Sequence, residues 1–157
     1  MANTTYKELA DRFFNKIKDN MFIELGDKIS YDLAFSYIPS ACSQFQSCTS
    51  DLTKRDKDVD ELGCFDMQLM DSEIEILVNY MVIEYLDSNY IKTATALKSR
   101  LSTSDFHSLQ QSNMLGKAME LRTMLKSEND QLAINKSYKN SKITAIRLDH
   151  RLCRWFG

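Results

Sequence analysis

The side chains that most often carry catalysis or metal binding are sparse in this chain. His107 and His150 are its only histidines, and nothing near either in the sequence completes a nucleophilic or metal-binding set. None of the four cysteines belongs to a CxxC pair, so we expect free thiols and neither zinc ligands nor a disulfide framework. These residues predict no catalytic centre and no metal site.

The charged segment between residues 49 and 61 comes nearest to a known ion-binding motif. Asp56, Asp58 and Asp60 alternate with other side chains, but the glycine and the closing glutamate of a calcium loop are not at the required offsets. The chain also lacks the glycine-rich phosphate-binding motifs and the HExxH zinc motif. We therefore expect a solvated surface loop, no cofactor and no enzymatic activity.

The carboxyl-terminal segment has the most distinctive composition. Residues 136–157 contain six Lys or Arg and one acidic residue, whereas residues 1–135 contain 14 basic and 21 acidic residues. The segment also carries aliphatic and aromatic side chains that it is too short to bury alone, so we expect it to dock on a second surface. We predict an extended docking arm over residues 139–157, in which the contacting side chains are Lys142, Ile143, Ile146, Arg147, Leu148, Arg151, Leu152, Arg154, Trp155 and Phe156.

The arm has three possible partners. Its cations and aromatic rings could bind phosphates and stack on bases. They could instead fill apolar pockets on a protein while the arginines pair with carboxylates, or the segment could fold back on its own subunit. We favour a protein partner, because Ile143, Ile146 and Leu148 gain nothing from a phosphate backbone.

Composition and apolar periodicity predict the elements that must position these residues. With 157 residues, 43% hydrophobic content, four Gly and one Pro, the chain suggests one soluble domain of long helices. The opening lacks the charged-then-apolar order of a secretory signal, and no apolar stretch is long enough to cross a bilayer. We therefore expect synthesis in the cytoplasm and no membrane partner.

Thr5 and Glu8 have capping-box spacing before a helix over 6–18. An apolar link follows at 21–25, and then a helical pattern over 29–45 that Pro39 should kink or divide.

The second half of the chain predicts three further helices after one extended segment. Residues 63–70 alternate between apolar and polar side chains, which is the pattern of a short half-buried strand or extended edge. A neighbouring subunit is a candidate partner for this edge. A helix over 73–87, capped by Asp71 or Ser72, is apolar around most of its circumference and should be buried centrally. A shorter helix is predicted over 91–101, and a long one from between 106 and 113 to about 137. Candidates for the core or for a subunit interface are Phe65, Met67, Leu69, Ile76, Tyr80, Ile83, Met119 and Leu125.

The segment over residues 71–138 resembles a known family. Its motifs are EIEIL at 73–77, MV at 81–82, EYL at 84–86, SDF at 104–106 and SN at 112–113 followed by Leu115. In this pattern it is similar to the head–tail connector, or adaptor, proteins of tailed phages and of prophage elements in Gram-positive hosts. The opening 5–19 and the loop 51–56 extend the likeness over most of residues 4–138. Tyr85, where the family more often has Trp, and Pro39 are departures from it.

The resemblance implies a structural protein of the virion head–tail junction. Such subunits form a ring, dodecameric in the family, that is made and assembled in the host cytoplasm and docks beneath the portal protein. The ring extends a channel through which DNA passes without sequence-specific binding, and it is the platform for the next neck or tail component, a stopper or terminator protein. In this family a carboxyl-terminal arm reaches the portal.

We therefore predict a mainly α protein. It should be a small bundle of four to five helices with one short extended segment, a helical connector domain over 1–138, and a long carboxyl-terminal arm over 139–157. The alternative is a helical nucleic-acid-binding regulator that uses the basic tail. Salt dependence separates the two, because binding by several cations to phosphate collapses as salt rises.

Overall fold

The computed structural model describes residues 3–58, 60, 62–92 and 109–152, with side chains, apart from those of Asn20 and Ile23, as far as residue 92 and from 115 to 139. The described backbone is mainly helical, which confirms the predicted fold class. Its elements are α1 (Tyr6–Ile17), α2 (Asn20–Leu25), α3 (Asp27–Ser36), α4 (Ile38–Gln44), α5 (Asp71–Leu86), a π-helical turn (Asp87–Lys92) and α6 (Leu109–Leu152).

Helix α1 begins as its sequence predicts. The Glu8 N–H donates to the Thr5 hydroxyl oxygen at 3.2 Å, which satisfies one of the free donors at the helix start. The helix ends at Lys18, whose φ of 46° turns the chain out of the helix. Leu9 and Phe13 are fully buried, so α1 presents its apolar side to the core.

A short helix replaces the predicted link, and of the two alternatives predicted near Pro39, a kink or a division, the structure has the division. Residues 21–25 were expected to be a link, but they belong to α2, whose start is capped by the Asp19 carboxylate accepting from the Met21 N–H at 3.0 Å. The pattern over 29–45 divides at Tyr37 into α3 and α4. Pro39 lies in the first turn of α4, where a missing backbone donor removes no helical bond.

The extended segment after the charged loop pairs within its own chain. The Phe65 N–H donates to the Thr4 carbonyl and the Tyr6 N–H to the Gly63 carbonyl, both at 2.9 Å. On its other side, the Asp56 N–H donates to the Cys64 carbonyl at 3.0 Å. A neighbouring subunit was a candidate partner for this edge, and that expectation is wrong, because residues 4–6 and 54–56 of the same chain occupy both sides.

Helix α5 is the centre of the bundle. It packs against α1, α4 and α6, and its buried side chains include Leu77, Val78 and Met81, as the apolar pattern predicted. The predicted caps were wrong: Met70 is the N-cap, and the Glu73 carboxylate accepts from the Met70 N–H at 3.0 Å. Glu73 therefore closes the helix start from inside the first turn.

Helix α6 is longer than predicted. It contains 44 residues, which at about 1.5 Å per residue makes a rod about 66 Å long. It begins in the predicted interval but continues past 137 to Leu152. The expected extended conformation is therefore wrong for residues 139–152, because this stretch has no Gly or Pro and half of its residues are strong helix formers. Residues 93–101 of the predicted short helix and residues 153–157 of the arm lie outside the described residues.

Candidate functional site

The candidates named for the core or an interface lie mostly in the core. Met67 and Leu125 are partly buried against it, and Met119 is exposed on α6. The other five are buried, namely Phe65, Leu69, Ile76, Tyr80 and Ile83. These seven positions pack in or against the core, and the five buried ones have no surface to offer a partner in this structure.

The predicted docking residues fall at the end of α6 and beyond it. Lys142, Ile143, Ile146, Arg147, Leu148, Arg151 and Leu152 belong to α6, but the description of this part covers only the backbone. Arg154, Trp155 and Phe156 lie outside the described residues. Their role as a docking arm stays a prediction.

The inward side of α6 is fixed to the bundle by polar contacts. The Arg122 guanidinium donates to both Asp87 carboxylate oxygens, with its shortest contact at 2.9 Å, and a planar pairing of this kind holds the helix at one angle. About two turns further on, the buried Asn129 side chain donates to the Ile76 carbonyl at 3.1 Å and accepts from Asn79 at 3.0 Å. These contacts set both the rotation of α6 about its axis and its position along α5.

A buried ion pair forms the last described side-chain attachment of α6. Glu73 is fully buried, and its carboxylate accepts from the Ser50 hydroxyl at 3.0 Å and from the Cys48 thiol at 3.4 Å. Lys136 Nζ lies 3.2 Å from Glu73 Oε1, close enough for an ion pair but without the angle of a directed hydrogen bond. Burial alone would raise the pKa of Glu73, but the Met70 N–H, Lys136 and Ser50 together hold it below its usual 4.5.

One flank of α6 carries an apolar surface that the sequence reasoning missed. Leu121, Met124 and Leu132 are 43%, 51% and 49% exposed, and their spacing places them on one side of the helix. Lys117 and Lys139 lie on the same side at either end. We call these five residues the α6 stripe. Counting positions at the helical period would have found it, because every member lies within about a quarter turn of the others.

A second apolar surface lies at the amino-terminal helices. The rings of Phe14, Phe22 and Tyr31 meet edge to face, with centroids 5.1 Å and 5.2 Å apart for the two pairs that include Phe14. They line an open cleft of about 580 Å³, which we call the α1–α3 cleft. Beside it, Leu25 is 37% and Ile29 57% exposed. Aromatic walls next to exposed aliphatic side chains are typical of a protein-contact surface.

The described thiols are poorly suited to act as nucleophiles. Cys42, Cys48 and Cys64 are free. Burial raises the pKa of Cys42 to about 11 and that of Cys48 to about 12, and a hydrogen bond to Asp56 raises the pKa of Cys64. Among the residues that the structure describes, no group of three metal-ligating side chains converges. Within the same residues, no helix combines the length and apolarity that a membrane span requires.

The chain matches no protein family, no curated protein and no solved structure. Its surfaces must therefore be interpreted from their own chemistry. The two that stand out are both apolar and flanked by charge, which is the composition of protein contacts.

Proposed function

We propose that this protein is the subunit of a head–tail connector ring of a tailed phage. In this proposal the ring, a dodecamer, lies beneath the portal, extends the DNA channel, and receives the next neck or tail component, a stopper or terminator protein. The sequence resemblance over 71–138, which covers α5 and much of α6, supports the proposal. The protein acts by assembly, at the head–tail junction of the virion, after being made in the host cytoplasm.

The observation that carries this proposal is the two-sided character of α6. Its inward side is held by Arg122, Asn129 and Lys136, while Leu121, Met124 and Leu132 remain about half exposed on a flank of the helix. A rigid rod that exposes apolar side chains from Leu121 to Leu132 has surface available to another protein. Closing a ring of identical subunits covers such a surface in every copy.

The carboxyl-terminal arm supplies the contact to the portal in this proposal. Residues 139–152 continue α6 beyond Lys136, the last described attachment to the bundle. Apolar residues such as Ile143 and Leu148 would fill pockets on the portal, while Arg147 and Arg151 would pair with its carboxylates. Once the ring is seated, each arm binds at a high effective concentration.

Electron microscopy of the purified chain, mixed with the portal protein of the same phage, tests the proposal. We expect closed rings stacked coaxially on the portal. A chain ending at residue 138 should remain folded and helical but should not join the portal. Full-length binding should persist as salt rises, because apolar contacts are not screened. Undiminished binding by the truncated chain would rule out the arm as the contact to the portal. A steep loss of binding as salt rises would indicate a purely electrostatic mode, as in nucleic-acid binding.

A further inference from the structure

The two exposed apolar surfaces of this chain belong to helices with different neighbours. α6 packs on α5 and the π-helical turn, whereas α2 packs on α3, which packs on α1 and α4. At 3.6 residues per turn the α6 stripe lies on a flank of its helix, about a quarter turn from Asn129, and its apolar members are 43% to 51% exposed. Among the residues that the structure describes, neither surface is fully covered.

We propose that the α6 stripe of one copy packs into the α1–α3 cleft of the next copy. This inference rests on the proposed ring function and names the two surfaces that form the ring contact. Leu121, Met124 and Leu132 recur at steps of three and eight residues, which is the anchor spacing of a helix lying in a groove. The aromatic walls of the cleft and the exposed Leu25 and Ile29 provide the matching apolar floor and edge.

The charges around the two surfaces are complementary. The side of α6 that carries the stripe has Lys117 and Lys139 at its ends and one acid, Glu128, between them. Residues 18–32, which form much of the cleft and its edge, contain four acids and two bases. Lysines at the ends of the stripe therefore meet a surface with an excess of carboxylates, which favours one register and disfavours stripe-to-stripe pairing.

The use of two different surfaces determines the kind of assembly. A surface that pairs with itself gives a two-fold dimer and stops there. When a surface pairs with a different surface of the next copy, each end of the growing assembly still has one unpaired surface. Subunits therefore keep adding until the rotation between neighbours closes a ring. The inferred contact is therefore of the head-to-tail kind that a ring requires.

Two variants and a control test the contact in the full-length chain. The stripe variant carries Leu121→Glu and Leu132→Glu, and the cleft variant carries Leu25→Lys and Ile29→Lys. Because all four side chains are at least a third exposed, helical circular dichroism should be unchanged. The control carries Ile134→Glu and Tyr138→Glu, which are 45% and 65% exposed on α6 but lie off the stripe.

We expect the wild type and the control to assemble in sedimentation velocity. Each interface variant should self-associate at least about 100-fold more weakly, as expected when charges enter the centre of a contact. An equimolar mixture of the two variants should form a one-to-one dimer and nothing larger, because only the intact cleft of one and the intact stripe of the other can pair.

Other outcomes overturn specific parts of the inference. A wild type that stays monomeric both alone and with the portal protein present rules out the ring function itself. If the wild type assembles and an interface variant assembles equally well, the ring function stands, but the substituted surface is not part of the ring contact. If both variants are monomeric and their mixture gives no dimer, the two surfaces do not bind each other. If deletion of residues 142–157 abolishes assembly while the stripe variant assembles, the basic arm occupies the cleft.

Discussion

At the scale of single residues, the Glu73–Lys136 pair joins three parts of the chain. Glu73 closes the start of α5 and accepts from Ser50 in the loop after α4, while Lys136 brings α6 onto the same carboxylate. Both charges are removed from water, with Glu73 fully buried and the Lys136 side chain 13% exposed. The pair therefore contributes mainly by making α6 dock in one position, since desolvation offsets much of its attraction.

Removing one partner of this pair should be costly. Lys136→Met leaves the Glu73 carboxylate buried without its cation, and we expect a loss of about 3 kcal/mol in the free energy of unfolding. The double variant with Glu73→Gln should lose less than the sum of the single variants, because no buried charge remains. Lys16→Met, which removes an exposed pair with Glu75, should cost less than about 1 kcal/mol. Urea unfolding measures all four, and equal costs for Lys136→Met and Lys16→Met would contradict this description of the pair.

The lowered pKa of Glu73 gives a dependence of stability on pH. Because the pKa is lower in the folded chain than its usual 4.5, the folded state holds this proton more weakly than the unfolded state. The contribution of Glu73 is therefore complete above about pH 5 and is lost as pH falls below 4.5 toward the folded pKa. Urea midpoints measured between about pH 6 and 3 should fall less steeply in Glu73→Gln than in the wild type. Parallel pH profiles would show that Glu73 does not titrate as described.

At the scale of elements, local pattern predicted where helices form better than where they begin and end. The apolar circumference of α5 was sufficient to place it at the centre, since few other environments bury such a surface. α2 is only six residues long, too short for periodicity to separate it from an apolar link. The end of α6 was misplaced because its composition changes near residue 138, although helix propensity does not. The buried cluster around Glu73 includes Ser50 and Lys136, which are distant from it in sequence, so local pattern could not reveal the cluster.

Two glycines in different elements should respond oppositely to alanine. A Cβ at Gly63 would lie 2.3 Å and 2.5 Å from ring atoms of Tyr6, which is fully buried, so Gly63→Ala should destabilise the fold by about 2 kcal/mol or more. A Cβ at Gly116 meets nothing within 4 Å, and Gly116→Ala in α6 should add up to about 1 kcal/mol. Thermal unfolding should show a fall of several degrees for the first and a smaller rise for the second. A neutral Gly63→Ala would mean that the extended segment is not seated against α1 as described.

At the scale of the whole molecule, the residues that the structure describes form a helical bundle that holds the inward side of a long helix and leaves apolar side chains on its flank about half exposed. The inward attachments at Arg122, Asn129 and Lys136 keep α6 from rotating, so the α6 stripe is presented in a fixed direction. Fixed direction matters for a ring, because each contact must repeat with the same rotation for the last copy to meet the first. Weak individual contacts can then give a stable assembly, since releasing one subunit from a closed ring requires breaking two contacts.

Native mass spectrometry of the full-length chain over a range of concentrations tests this central claim most directly. We predict one discrete large assembly, twelve times the 18.2 kDa subunit if the ring is a dodecamer, with no filament-like ladder of sizes. The stripe variant should lose that species and the control variant should keep it. A chain that remains monomeric at every concentration, with the portal protein present as well as absent, or that stops at a dimer unaffected by the stripe substitutions, would contradict the claim that this protein builds a closed ring through α6.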